Sequence, residues 1–132
     1  MLIFYADDDA EDCELFREAL WEIHTGIECM TAGNGKLALE QLTQLIHLPD
    51  FIFLDINMPL LDGRKCLIEI KKHPRLRHIP VIMYSTTSDT EEIRQYYKLG
   101  AHDFLIKPNT FSELVDSLES IFVLSRKNSP AN

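Results

Sequence analysis

The sequence predicts an α/β fold of the doubly wound kind, with five parallel strands alternating with five helices. Three observations predict it. Five short apolar runs punctuate the 132 residues, the stretches between them carry apolar residues at helical spacing, and chemically capable polar residues stand at the ends of the runs. Strands that alternate with helices imply a parallel sheet covered on both faces.

The first run, Leu2–Ala6, is unbroken and reads as a central strand. Acids follow it, with Asp9 suited to cap a helix whose Cys13, Phe16, Leu20 and Ile23 share one face. The second run, Ile27–Ala32, contains Glu28 and Thr31, which suits a sheet edge. Ala38, Leu42 and Leu45 mark the next helix, and Phe51–Leu54 the third strand. Asp62 reads as a turn residue before Gly63, and Cys66, Leu67 and Ile70 mark a helix that Pro74 stops. Val81–Tyr84 is the fourth strand. A helix from near Thr90 follows, with Ile93, Tyr96 and Tyr97 at its period and Gly100 closing it. Phe104–Ile106 is the fifth strand. Thr110 and Glu113 form a candidate capping box for a last helix carrying Phe111, Leu114, Val115, Leu118, Ile121 and Phe122. Placing the second and fifth strands at the edges gives the order 2-1-3-4-5, a flavodoxin-like (βα)5 sandwich. The domain is expected over residues 1–124, with a loose tail over 125–132.

Apolar residues make up 45% of the chain, enough for one continuous core at this length. The net charge of −8 disfavours nucleic acid and anionic membrane as partners. Charge is unevenly spread: residues 1–22 carry a net −7 and residues 64–78 a net +5. The basic stretch is either a contact for an acidic partner or a solvated helix end and loop. Cys13, Cys29 and Cys66 are odd in number and widely spaced, so they read as small hydrophobes in a reducing compartment. With no signal peptide and no apolar run near membrane-span length, a cytoplasmic protein is expected.

Asp7 and Asp8 follow the first strand, Asp55 the third and Ser85 the fourth, and Lys107 stands at the end of the fifth. Ligands of an open parallel sheet bind beyond the carboxyl ends of its strands, where the strand order reverses. Three carboxylates, a hydroxyl and an ammonium are therefore expected to converge between the first and third strands. Carboxylates so close repel, and one acquires a raised pKa unless a cation intervenes. A hard divalent ion such as Mg²⁺ suits oxygen ligands and leaves positions for water and phosphate oxygens. A carboxylate beside such an ion can be phosphorylated, and no histidine base stands by a nucleophilic serine or cysteine. Taken singly, each element has a plainer reading as a helix cap, a turn residue or a loop hydroxyl.

These residues resemble the receiver domains of bacterial two-component response regulators. The resemblance rests on Phe4-Tyr5-Ala6-Asp7-Asp8-Asp9, Phe53-Leu54-Asp55-Ile56-Asn57-Met58-Pro59, Leu61-Asp62-Gly63, Val81-Ile82-Met83-Tyr84-Ser85-Thr86 and Gly100-Ala101-His102-Asp103-Phe104-Leu105-Ile106-Lys107-Pro108, and it spans nearly the whole chain. It implies Asp55 as the phosphorylation site, with Mg²⁺ held by Asp8, Asp55 and the backbone carbonyl of Asn57, and by Asp7 through a water. Ser85, with Thr86 beside it, and Lys107 would serve phosphoryl binding and switching, a cis bond between Lys107 and Pro108 aiming the lysine. Phe104 matches the aromatic that turns inward on activation. The implied donor is a sensor histidine kinase or histidine phosphotransfer protein. The implied target docks on the face of the fourth helix, fifth strand and last helix, with the regulator a monomer or weak homodimer. The stretch Lys71 to Pro80, with Thr86-Thr87-Ser88-Asp89 after it, looks like the stand-alone, chemotaxis-regulator-like receivers often paired with phytochrome-type or hybrid sensor kinases. About ten residues follow Phe122, so a stand-alone regulator is expected rather than one with an output domain.

Two departures stand out: Ser85 replaces the commoner threonine, and Tyr84 is bulkier than the usual aliphatic residue. Two other readings remain open. An aspartate-nucleophile phosphohydrolase also places Asp after a parallel strand, but it needs a second acid two residues on, where Asn57 stands. A receiver-shaped scaffold that is never phosphorylated would have no use for the full set Asp7, Asp8, Asp55, Ser85 and Lys107.

Overall fold

The computed structural model describes residues 1–127. The elements run β1 (Leu2–Ala6), α1 (Ala10–Ile23), β2 (Glu28–Ala32), α2 (Gly35–Gln44), β3 (Phe51–Leu54), α3 (Gly63–Lys72), β4 (Val81–Ser85), α4 (Thr90–Lys98), β5 (Asp103–Ile106) and α5 (Phe111–Lys127). The sheet has the order β2-β1-β3-β4-β5, every neighbouring pair parallel, as expected from the run pattern. No helix among the described residues is long and apolar enough to cross a membrane.

Alternation along the strands divides the core into two. Ile3, Tyr5, Phe51, Phe53, Ile82 and Tyr84 face α1 and α5, meeting Phe16, Ala19, Leu20, Leu114 and Leu118. Phe4, Ile52, Leu54, Val81 and Met83 face α2, α3 and α4, meeting Ala38, Leu42, Leu67, Ile70 and Tyr96. Every residue of β3 and β4 is buried, whereas β2 and β5 at the edges are half-buried along most of their length. Phe16 stands at the centre of the first half, stacked on Tyr5 at 4.2 Å and edge-on to Phe53 and Tyr84 at 5.0 and 5.8 Å. Each such aromatic pair adds roughly 0.5–1.5 kcal/mol beyond the area it buries.

Local signals set the helix ends. Asp9 caps α1 by accepting from the Glu11 and Asp12 N–H groups. Asp62 is more than the turn residue expected: its carboxylate accepts from the Lys65 N–H and caps α3. The Thr110 hydroxyl accepts from the Glu113 N–H, but the Glu113 carboxylate reaches the N–H of Asn109, one residue short of a reciprocal box. Gly100 closes α4 with φ of 109°, a conformation costly for any residue with a Cβ. α5 continues through Lys127, past the boundary expected at residue 124, and the rest of the expected tail, 128–132, lies outside the described residues.

Candidate functional site

β1, β3, β4 and β5 end at one edge of the sheet, and each delivers a polar residue there. The Asp7 N–H donates to the Ala32 carbonyl (3.0 Å) and the Asp55 N–H to the Ala6 carbonyl (2.9 Å), so both acids are fixed by extensions of the sheet's own ladder. Ser85 is the last residue of β4 rather than the first beyond it, and the Lys107 N–H donates to its carbonyl at 2.7 Å. Gly63, opening α3, packs so closely on the end of β3 that a Cβ there would overlap the Asp55 carbonyl and lie 2.8 Å from the Ile56 Cα. The glycine thus lets α3 close against the backbone that carries Asp55.

Carboxylate oxygens of Asp7, Asp8 and Asp55 lie within 4.8 Å of one another. Asp7 and Asp55 are buried and Asp8 is exposed. Lys107 crosses the cluster, its ammonium 3.1 Å from Asp7 Oδ2 and 3.4 Å from Asp55 Oδ1. The Asp55 carboxyl is pushed up to about 6, first by burial and then by the charge of Asp7, with Lys107 pulling the other way. Repulsion among acids was the expected cause of such a shift. Desolvation proves the larger one. A carboxyl at about 6 is still largely ionised at neutral pH. The donor set is all hard oxygen, and the single ammonium does not balance three carboxylates, so the residues fit a hard divalent cation.

The Ser85 side chain is buried, and its oxygen accepts from the Thr87 N–H at 3.3 Å, which leaves the hydroxyl proton free to donate. Thr86 is exposed beside it, and Thr87 ties the following loop together through Asp89 and Glu92. Asn57 is exposed after β3, and no described backbone hydrogen bond uses its carbonyl. Phe104 is half-buried, its ring 5.8 Å from that of Tyr96, so it already leans toward α4. The Lys107–Pro108 bond is trans, because no described peptide bond is cis. This corrects the cis expectation. The lysine reaches its carboxylates without that bond, and trans is the ordinary state even before proline.

Three participants escaped the sequence. The Tyr5 hydroxyl donates to Asp7 Oδ2, a buried hydrogen bond. Burial and the adjacent Asp7 together push the Tyr5 phenol far above its ordinary value, so it remains a donor. Asp12, on α1, is the nearest ion-pair partner of Lys107, at 2.8 Å. Tyr84 lies beneath the ammonium, its ring centre 5.2 Å from Nζ, which gives the bulky residue at that position a role. A period of two puts Tyr5 and Asp7 on one side of their strand, and that was the available signal for the first. Asp12 stood out only as one more acid of the acidic segment.

The basic stretch separates into structural and free charges. The Lys71 ammonium donates to the carbonyls of Arg77 and Ile79, closing the loop before β4. The Arg75 guanidinium donates to the Thr43 and Leu45 carbonyls at the end of α2. Arg64, Lys65, Lys72 and Arg77 are exposed.

Comparison with known proteins bears on this arrangement directly. A family model for the response regulator receiver domain matches residues 3–119. The probable methanogenesis regulatory protein FilR2 of Methanothrix harundinacea is 35% identical over 67% of this chain, a match that spans 59% of FilR2. Response regulator Rcp1 of Synechocystis is 29% identical over 91% of this chain and 85% of its own length. The crystal structure of its Mn²⁺-bound form has a TM-score of 0.80, covering 91% of this chain and 90% of that one. The phosphorylated cyanobacterial phytochrome response regulator RcpA is 34% identical, covers 98% of both chains and has a TM-score of 0.86. The family match runs from β1 into α5 and so takes in every strand end that carries the site: the chain belongs to the response regulator receiver domains.

Proposed function

We propose that Asp55 accepts a phosphoryl group from a sensor histidine kinase or histidine phosphotransfer protein, and that the chain signals by a change of shape rather than by catalysis. The observation that carries this reading is the buried Asp55 carboxylate, clustered with those of Asp7 and Asp8 and 3.4 Å from the ammonium of Lys107. An Asp55 oxygen attacks phosphorus as the donor's bond to it breaks, and the leaving group departs with the electron pair. Asp8, Asp55 and the Asn57 carbonyl would hold Mg²⁺, with Asp7 acting through a water because its carboxylate already serves Tyr5, Asp9 and Lys107. The cation, when bound, offsets the carboxylate charge and that of the incoming phosphoryl group. Lys107 and the Ser85 hydroxyl then bind phosphoryl oxygens, with Thr86 alongside.

Switching follows from the position of Ser85. Donation from its hydroxyl to a phosphoryl oxygen draws in the loop that begins at Thr86, and Phe104 then moves further toward α4. The face of α4, β5 and α5 changes shape, and a downstream protein reads it there. The experiment is hydrogen exchange across residues 86–106 with and without acetyl phosphate and Mg²⁺. Exchange should change in the wild type and stay put in Ser85→Ala, while both become phosphorylated. An equal change in both proteins would show that the hydroxyl does not carry the coupling.

A further inference from the structure

Lys107 is shared among more carboxylates than a phosphoryl sensor needs. The ammonium donates hydrogen bonds to Asp12 (2.8 Å) and Asp7 (3.1 Å), and it stands 3.4 Å from Asp55 as an ion pair. The shortest contact goes to the one acid that lies outside the cluster of Asp7, Asp8 and Asp55.

An ammonium drawn from this resting position onto a phosphoryl oxygen of Asp55 would loosen one of its two hydrogen bonds, to Asp12 or to Asp7. The two candidates for release differ in what they would be left with. Asp7 is wholly buried in its side chain, so losing the lysine would leave a desolvated carboxylate short of a cation. Its other bonds, from the Tyr5 hydroxyl and the Asp9 N–H, also hold it in place. The Asp12 side chain is 32% exposed and borders a cleft of about 110 Å³ lined also by Leu15, Tyr84, Phe111 and Leu114. Water can replace the lysine there at small cost.

We propose that Asp12 is the resting anchor of Lys107: it holds the ammonium toward α1 and is the partner released when Asp55 carries a phosphoryl group. Asp12 is thus a positioning residue, acting through Lys107, and it opposes the phosphorylated arrangement. This rests on the reading of Asp55 as acceptor and adds what sets the balance between the two positions of the lysine.

The test uses beryllofluoride with Mg²⁺ as a stable stand-in for the phosphoryl group, titrated into the wild type, Asp12→Asn, Asp12→Glu and Glu11→Gln. Glu11 is the neighbouring exposed acid on α1 and pairs with no atom of Lys107, so its variant measures the loss of one charge alone. Asp12→Asn should tighten beryllofluoride binding about five- to tenfold, less than a whole charge-assisted hydrogen bond because the asparagine oxygen still accepts from the lysine, and Glu11→Gln by no more than about twofold. The ¹⁵N resonance of the Lys107 ammonium, which a purely structural role would not move, should start in Asp12→Asn nearer its position in the beryllofluoride-bound wild type. Asp12→Glu should restore most of the wild-type behaviour. Equal affinities in Asp12→Asn and Glu11→Gln, or an unshifted ammonium resonance, would overturn the anchor. Failure of every protein, wild type included, to bind beryllofluoride would instead overturn the acceptor reading on which it rests.

Discussion

Replacing Asp55 by asparagine should make the metal-free protein more stable, and the gain should depend on pH in a defined window. The Asp55 carboxyl stands at about 6 against an ordinary 3.8, because burial and Asp7 disfavour its ionised form. A raised carboxyl means that the folded state binds more protons than the unfolded state between about pH 4 and 6. Ionised Asp55 therefore weakens the fold above that window, and stability is recovered as pH falls through it. The shift, which already includes the opposing pull of Lys107, corresponds to about 3 kcal/mol at 1.36 kcal/mol per unit, and solvent screening reduces the expected gain to about 1–2 kcal/mol. Urea unfolding of wild type and Asp55→Asn in EDTA, at pH 7.5 and pH 4.5, measures it directly. The variant should be the more stable at pH 7.5, and the gap should shrink at pH 4.5. A gap of the same size at both pH values, or a less stable variant at pH 7.5, would refute the electrostatic argument.

Three further outcomes follow from single residues. Gly63→Ala forces a Cβ against the Asp55 carbonyl and should cost about 1–3 kcal/mol in urea unfolding, together with slower phosphorylation by acetyl phosphate. Unchanged stability would mean that α3 can draw back without cost. Arg75→Ala loses two bonds to carbonyls at the end of α2 and should cost about 1 kcal/mol while leaving acetyl phosphate labelling intact. A stability equal to that of Arg77→Ala would assign Arg75 to the solvated surface. Asp8→Asn should weaken Mg²⁺ binding by about 1.5–3 kcal/mol, read by titration calorimetry, and unchanged affinity would move the ion elsewhere.

The fold was legible because its signals are redundant. β3 and β4 are unbroken apolar runs, and they are buried along their whole length, while Glu28 marks β2 as an edge. Strand order followed from burial, and the position of Asp7, Asp8, Asp55 and Lys107 followed from strand order. What stayed hidden depends on side-chain reach across elements distant in sequence. Nothing local distinguishes Asp12 from Glu11 or Glu14, yet of these three acids Asp12 is the one that pairs with Lys107. Tyr5 looked apolar because its ring is in the core, and only the shared side of the strand hinted that its hydroxyl meets Asp7. Arg75 and Lys71 looked like surface charge because their partners are carbonyls, which a sequence does not distinguish.

The intact mass of the protein after incubation with Mg²⁺ and acetyl phosphate tests the central claim most directly. The wild type should gain one phosphoryl group, EDTA should suppress the gain, and Asp55→Asn should remain at its starting mass. Labelling of Asp55→Asn to the wild-type extent would place the acceptor on another residue and contradict the account.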